Sequence, residues 1–186
     1  EYRRAVEKLF ARGLADRLPG FEPVRVSSPL LFGGEKAYRW RATQSFDAHV
    51  LLVPSPQGHQ SFTVEIAWSD RGRFPEGGMR PSVMLAPGDP WPTDVNEGIV
   101  RLGGLAGTSD AWWHLPDPAV ENPGDLDALV ESTKLISPTV AEAYAEEPVS
   151  QALASLERHG VPFVEAVVMA HGGVESSPRH RGEEVP

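Results

Sequence analysis

FDAHVLLV at residues 46–53 and QSFTVEIAW at residues 60–68 decide the fold. Both runs alternate with a period of two, which puts Phe46, Ala48, Val50 and Leu52 on one face of a strand. Phe62, Val64, Ile66 and Trp68 share one face of the next. Between the runs, Pro54 to His59 supplies turn residues. An antiparallel hairpin that sets Leu52 against Phe62, Val50 against Val64, Ala48 against Ile66 and Phe46 against Trp68 makes one wholly apolar face. The same pairing sets His49 against Glu65 and Leu51 against Thr63 on the other side, with Asp47, Arg39 and Arg41 nearby. That second face is therefore expected to be polar, or covered by something polar.

Working outward, Val6, Leu9, Phe10, Leu14 and Leu18 recur at spacings of three and four between Tyr2 and Leu18, with Arg3, Arg4, Glu7, Lys8, Arg12, Asp16 and Arg17 on the other side. This is the pattern of an amphipathic helix. Pro19-Gly20 ends it, because proline removes a backbone donor and disfavours the helical region for the residue before it. Phe21, Val24 and Val26 suggest a short strand. After a turn at Gly33-Gly34, Tyr38, Trp40 and Ala42 alternate with Arg39, Arg41 and Thr43.

Ser69 to Glu97 has no usable periodicity and carries nine glycines and prolines between Gly72 and Pro92, so it reads as a long shaped loop. Phe74, Met79, Val83, Met84, Leu85 and Trp91 indicate that it packs, with a short strand expected inside Pro81 to Ala86. Ile99 to Leu102 reads as a further strand. The last third is helical: Asp125 to Ile136, then a helix N-capped by Ser137 with Pro138 at its first position. Pro148 is expected to break or kink that helix, and His159-Gly160 to end it. Phe163 to Ala170 is open between helix and strand, and residues 175–186 read as a solvated tail behind one domain spanning 1–174.

Composition narrows the function classes. Lysine and arginine number 17 against 26 aspartates and glutamates, a net charge of −9, which is the wrong sign for a general nucleic-acid binder. No cysteine is present, which excludes disulfide scaffolds, thiol nucleophiles and cysteine-ligated metal centres together. Apolar runs fall short of the ~20 residues that span a bilayer, and no signal-peptide core opens the chain. A cytoplasmic address is the default expectation, left open at the N-terminus because the sequence starts at Glu1 rather than methionine.

Few motifs carry chemistry. Gly103-Gly104-Leu105-Ala106-Gly107 follows a strand, but it lacks the lysine of a phosphate-binding loop and the spacing of a dinucleotide fingerprint, so a plain turn is expected. Asp47, His49 and Glu65 are the one arguable metal-ligand group, set against the ordinary reading of a cross-strand His–Glu pair on a polar sheet face. Trp112-Trp113-His114 is the most suggestive stretch, since adjacent indoles on a loop do not both point into one core. With Trp91 they are the candidate ligand- or partner-binding residues, placed around a pocket between Ser69–Glu97 and Gly103–Leu115. Arg71, Arg73 and Arg80 are read as internal salt bridges or a solvated loop ahead of an anion site.

The order of helix, Gly20-Phe21 break and successive strands, with Tyr38 to Arg41 and the Phe62 to Trp68 strand, resembles bacterial domains of unknown function in which one helix covers a four-stranded antiparallel sheet. The resemblance spans Val6 to Trp68 and implies a fold without assigning a catalytic residue.

The expectation is an α+β domain: an antiparallel sheet of four to six strands, the N-terminal helix on its apolar face and a C-terminal helical segment beside it. Phe46, Val50, Leu52, Phe62, Val64 and Ile66 must share one buried face for it to hold. The leading functional expectation is a non-enzymatic protein-interaction or inhibitor-like module, with no cofactor implied. A small-ligand or metal-assisted enzyme using the His49/Glu65 face is the alternative, weakened by the absence of the common hydrolase, zinc-protease and calcium signatures. Oligomeric state is not legible.

Overall fold

The computed structural model describes residues 1–27, 34–55, 60–81, 97–107, 112–116, 124, 127 and 136–171. The helix expected at the start is α1 (Tyr2–Arg17), which buries Ala5, Val6, Leu9, Phe10 and Leu14. Next come the strands β1 (Glu22–Val24), β2 (Lys36–Arg41), β3 (Phe46–Pro54), β4 (Ser61–Asp70) and β5 (Glu97–Arg101). A single turn of helix, α2 (Leu102–Leu105), and a two-residue strand, β6 (Trp113–His114), follow. The helices α3 (Pro138–Ser155) and α4 (Val161–Ala170) are joined by a π-helical turn, Leu156–Gly160.

The strands form one antiparallel sheet in the order β1-β2-β3-β4-β5, with β6 pairing the start of β4. The fold is thus α+β, as its sequence pattern implies. Phe46, Val50, Leu52, Phe62, Val64 and Ile66 all belong to one buried cluster with Tyr38, Trp40, Trp68 and the inward faces of α1, α3 and α4. Among the described residues no helix is long and apolar enough to cross a membrane.

The hairpin register differs from the expected one by two residues. Leu52 faces Val64, Val50 faces Ile66, Ala48 faces Trp68 and Pro54 faces Phe62. A shift of two returns every side chain to its original face, so the apolar pattern satisfies both registers equally. Packing decides between them. Trp68, fully buried, lies between Ala48 on β3 and Gly98 on β5, whereas the alternative register would oppose it to Phe46. A Cβ added at Gly98 would fall 2.6 Å from Trp68 Cη2, so the indole fills the space that glycine leaves. Large against small across the strands is how this sheet reaches a dense core.

The C-terminal helices also depart from expectation. Ser137 does cap α3, its side chain accepting from the Val140 amide, with Pro138 in the first turn. But the helix runs on through Pro148, which is buried, and does not stop at His159-Gly160. The Val161 amide instead bonds to the Leu156 carbonyl, five residues back. Pro162 has no amide to donate, so the ordinary four-residue ladder is already interrupted there and widening one turn costs little. Gly160 sits where a Cβ would lie 2.6 Å from Leu156 and 2.7 Å from Ile66. It permits close approach of helix to sheet rather than ending the helix. Phe163 to Ala170 is helix, within α4. Of the expected helix at 125–136 only Asp127, which is helical, and Ile136 are described; the expected strand within 81–86 beyond Pro81 and the 175–186 tail lie outside the described residues.

Gly98→Ala is expected to cost about 1–3 kcal/mol by overpacking against the trapped indole, measured by urea denaturation. Gly13→Ala, whose new methyl meets only the movable end of Leu153, should be near neutral in the same assay.

Candidate functional site

The second face of the sheet is a sealed polar layer. Along β3 its residues are Asp47, His49 and Leu51, and along β4 they are Thr63, Glu65, Ala67 and Ser69; all are buried. They are buried because the chain after β4 folds back across them. Phe74 inserts into a small apolar cluster with Ala37, Leu51, Ala67 and Ile99, and the arginines around it reach down to the carboxylates. Arg71 Nε bonds Asp47 Oδ1 at 3.2 Å and its guanidinium also donates to the Thr43 carbonyl. Arg73 holds Glu97 at 2.8 Å. Arg80 bridges Glu35 and Glu65, the latter at 2.7 Å. Arg39 on β2 pairs with Glu76 from above. Of the readings for Arg71, Arg73 and Arg80, the structure takes internal salt bridges.

His49 does not face Glu65. It lies opposite Arg39 on β2 and Ala67 on β4, while Glu65 lies opposite Leu51 and Arg101. This follows from the two-residue register shift, so the His–Glu pair is corrected. Among the described residues no three histidine, aspartate or glutamate side chains are grouped to hold a metal. The imidazole is 0% exposed and meets Phe74 edge-on with ring centroids 4.9 Å apart. Neither of its nitrogens finds a hydrogen-bond partner among the described residues. Burial, reinforced by the positive charge of Arg39, lowers its pKa to about 3 against a weaker pull from Glu76. Asp47 is shifted the other way: burial raises its carboxyl above the usual range, more than Arg71 and Arg39 lower it. Its Oδ2 has Arg39 at 3.7 Å, too far for a hydrogen bond.

The indoles are divided between two settings. Trp113, half-buried on β6, stacks on Phe62 with centroids 5.8 Å apart and packs against the main core. Trp112 lies under the Arg101 guanidinium at 5.6 Å, a cation–π contact. His114 is exposed at the start of the β6–β4 pairing. Trp91, and with it one wall of the expected pocket, lies outside the described residues.

A different concavity is built where the N-terminal end of α1 meets the turn end of the β3–β4 hairpin. It is a cleft of about 300 Å³ whose apolar side chains include Val6, Leu52, Phe62 and Leu115, and whose polar ones include Glu1, Arg3 and Gln60. Among the described residues Leu115 is the one that lines it from the segments expected to form a pocket. Beside it Tyr2, which also lines the cleft, stacks on Tyr144 of α3 at 6.2 Å. Tyr144 and Val140, one helical turn apart, are 38% and 42% exposed. Spacing alone could not reveal this surface, since Tyr2 and Tyr144 belong to helices at opposite ends of the sequence. Compared with protein-family models, with curated proteins and with solved structures, the chain matches none of them.

Removing a strap arginine tests the sealed face. Arg80→Ala leaves Glu35 and Glu65 buried without that cation and is expected to destabilise by about 2–3 kcal/mol, below the full cost of breaking a buried pair because Arg101 still lies 3.5 Å from Glu65. Arg4→Ala, which loses only an exposed pair with Glu1, should change the urea midpoint by little.

Proposed function

We propose that this chain is a non-catalytic interaction module that takes an apolar side chain of a partner protein into the cleft between α1 and the β3–β4 hairpin. The observation that carries the reading is that half-buried Tyr2, which lines the cleft, stacks on exposed Tyr144, one helical turn from exposed Val140. An apolar floor, rigid walls from a helix and a sheet, and flanking aromatics that lose little freedom on contact are the features of a surface with an anchor pocket. The net charge of −9 favours a basic partner, whose approach would be steered by charge and weakened by salt.

The enzymatic alternative has less support. The histidine it needs is neutral at ordinary pH, buried, and capped by Phe74. A general base must lie within reach of its substrate's proton, and His49 is enclosed on every side. The tryptophan segment keeps a part in the interaction reading, because Trp113 stacks on Phe62, which lines the cleft.

The test is capture of partners from a lysate by the wild-type chain and by Tyr144→Glu and Val140→Asp, each at low and high salt. A stoichiometric partner held by the wild type, lost with either substitution, retained by Arg4→Ala and weakened at high salt is the expected result. A partner that binds both variants of this exposed helix face as well as the wild type places the interface elsewhere on the molecule.

A further inference from the structure

The segment Arg71–Arg80 differs from the rest of the fold in what holds it down. Its one large buried apolar side chain is Phe74. Otherwise it is fastened by charge: Arg71 to Asp47, Arg73 to Glu97, Glu76 to Arg39, and Arg80 to Glu35 and Glu65. Beneath Phe74 lies His49, a buried titratable ring with no hydrogen-bond partner among the described residues. We propose that Arg71–Arg80 is an acid-released strap, which stays down while His49 is neutral and lifts from the sheet, without unfolding it, when that imidazole takes a proton.

The surroundings of His49 have no place for an imidazolium. Arg39 opposite it on β2 and Glu76 from the strap act on it directly; Arg41 of β2, Asp47 of its own strand and Glu65 of β4 share its face of the sheet, and Arg71 and Arg80 of the strap are paired to Asp47 and Glu65. The three carboxylates are each already engaged by an arginine. A proton on His49 would put a further positive charge in a dry layer beside Arg39, at a cost that opening to water removes.

The sign follows from linkage. In the closed state the pKa is lowered to about 3, and in the open state it returns towards 6.5. The open state thus binds more protons, and the closed state loses its advantage as pH falls from about 6.5 towards 3. Between pH 7.5 and pH 5.0 the opening constant should rise about thirtyfold from this group. Asp47 opposes the effect, since burial raises its carboxyl and favours its protonated form when closed. For Glu76 burial works upward, but the hydrogen bonds and charge of Arg39 lower it overall, so its protonation also weakens the strap. The sheet itself is held by the core on its other face, which contains no part of the strap.

Hydrogen exchange at pH 7.5 and 5.0, with labelling times scaled to the intrinsic exchange rate and peptides resolved by pepsin, tests the proposal on the full chain. The amides of Arg71, Arg73 and Gly78, which bond to Ser45, Asp70 and Pro75, should lose protection by about thirtyfold at pH 5.0, while β3 and β4 keep theirs. His49→Phe, which fills the ring space without titrating, should show the same strap protection at both pH values. No loss in the wild type, an equal loss in His49→Phe, or loss in strap and sheet together overturns the proposal. If His49→Phe fails to fold by near-ultraviolet circular dichroism, the NMR titration of His49 in the wild type decides. Protonation that tracks strap exchange supports the strap, and protonation near 6.5 with the strap closed refutes it.

Discussion

Two strands buried on both faces are the constraint from which the rest of this structure follows. β3 and β4 lie at the centre of the sheet, and nearly all their residues are removed from water. An amphipathic strand in such a position buries its polar side chains with its apolar ones, and each buried charge then needs a counter-charge. The arginines of the strap meet that need. An apolar helix over the outer face would have left Asp47 with only Arg39 at 3.7 Å and Glu65 with only Arg101 at 3.5 Å among the described cations; an arginine-rich loop around one phenylalanine adds Arg71 and Arg80 and covers the layer.

That arrangement also changes how the composition is understood. Several of the chain's 17 basic residues point inward and are neutralised locally. The solvent-facing charge is distributed accordingly, with exposed pairs such as Lys8–Glu142 and Arg17–Glu157 joining α1 to the C-terminal helices. Such surface pairs add little to stability.

How far the sequence announced these features depended on whether the signal was local. The period-two runs at 46–53 and 60–68 specify faces, and the faces are as read. Register is not local, because a slip of two leaves the pattern intact, and the deciding fact is the fit of Trp68 between Ala48 and Gly98. Ser137-Pro138 announced a helix start through capping chemistry that acts within four residues. Pro148 and Gly160 misled for the converse reason: as stop signals they are local, but tertiary packing overrides them. The sealed face was visible only as polar residues on one side of a hairpin, and its cover came from arginines without periodicity. The cleft was illegible because its walls, Val6, Leu52, Phe62 and Leu115, are brought together by the whole topology.

The side-by-side packing of α1 and α3 bears on the history of each molecule before it is finished. α1 is made more than a hundred residues before α3, yet Gly13 of the one lies against Leu153 of the other. While the ribosome is still adding the middle of the chain, the sheet can form, but of the described helices that cover its apolar face α1 alone has then been made. Trp68 and Ile66 then face a gap that the late-arriving Phe163 and Leu156 must fill. Native contacts of such long sequence separation close slowly, and a half-made sheet with one bare face is the species most prone to stick to its neighbours. For this protein the hazardous interval lies in its own synthesis, and it ends when α3 and α4 dock.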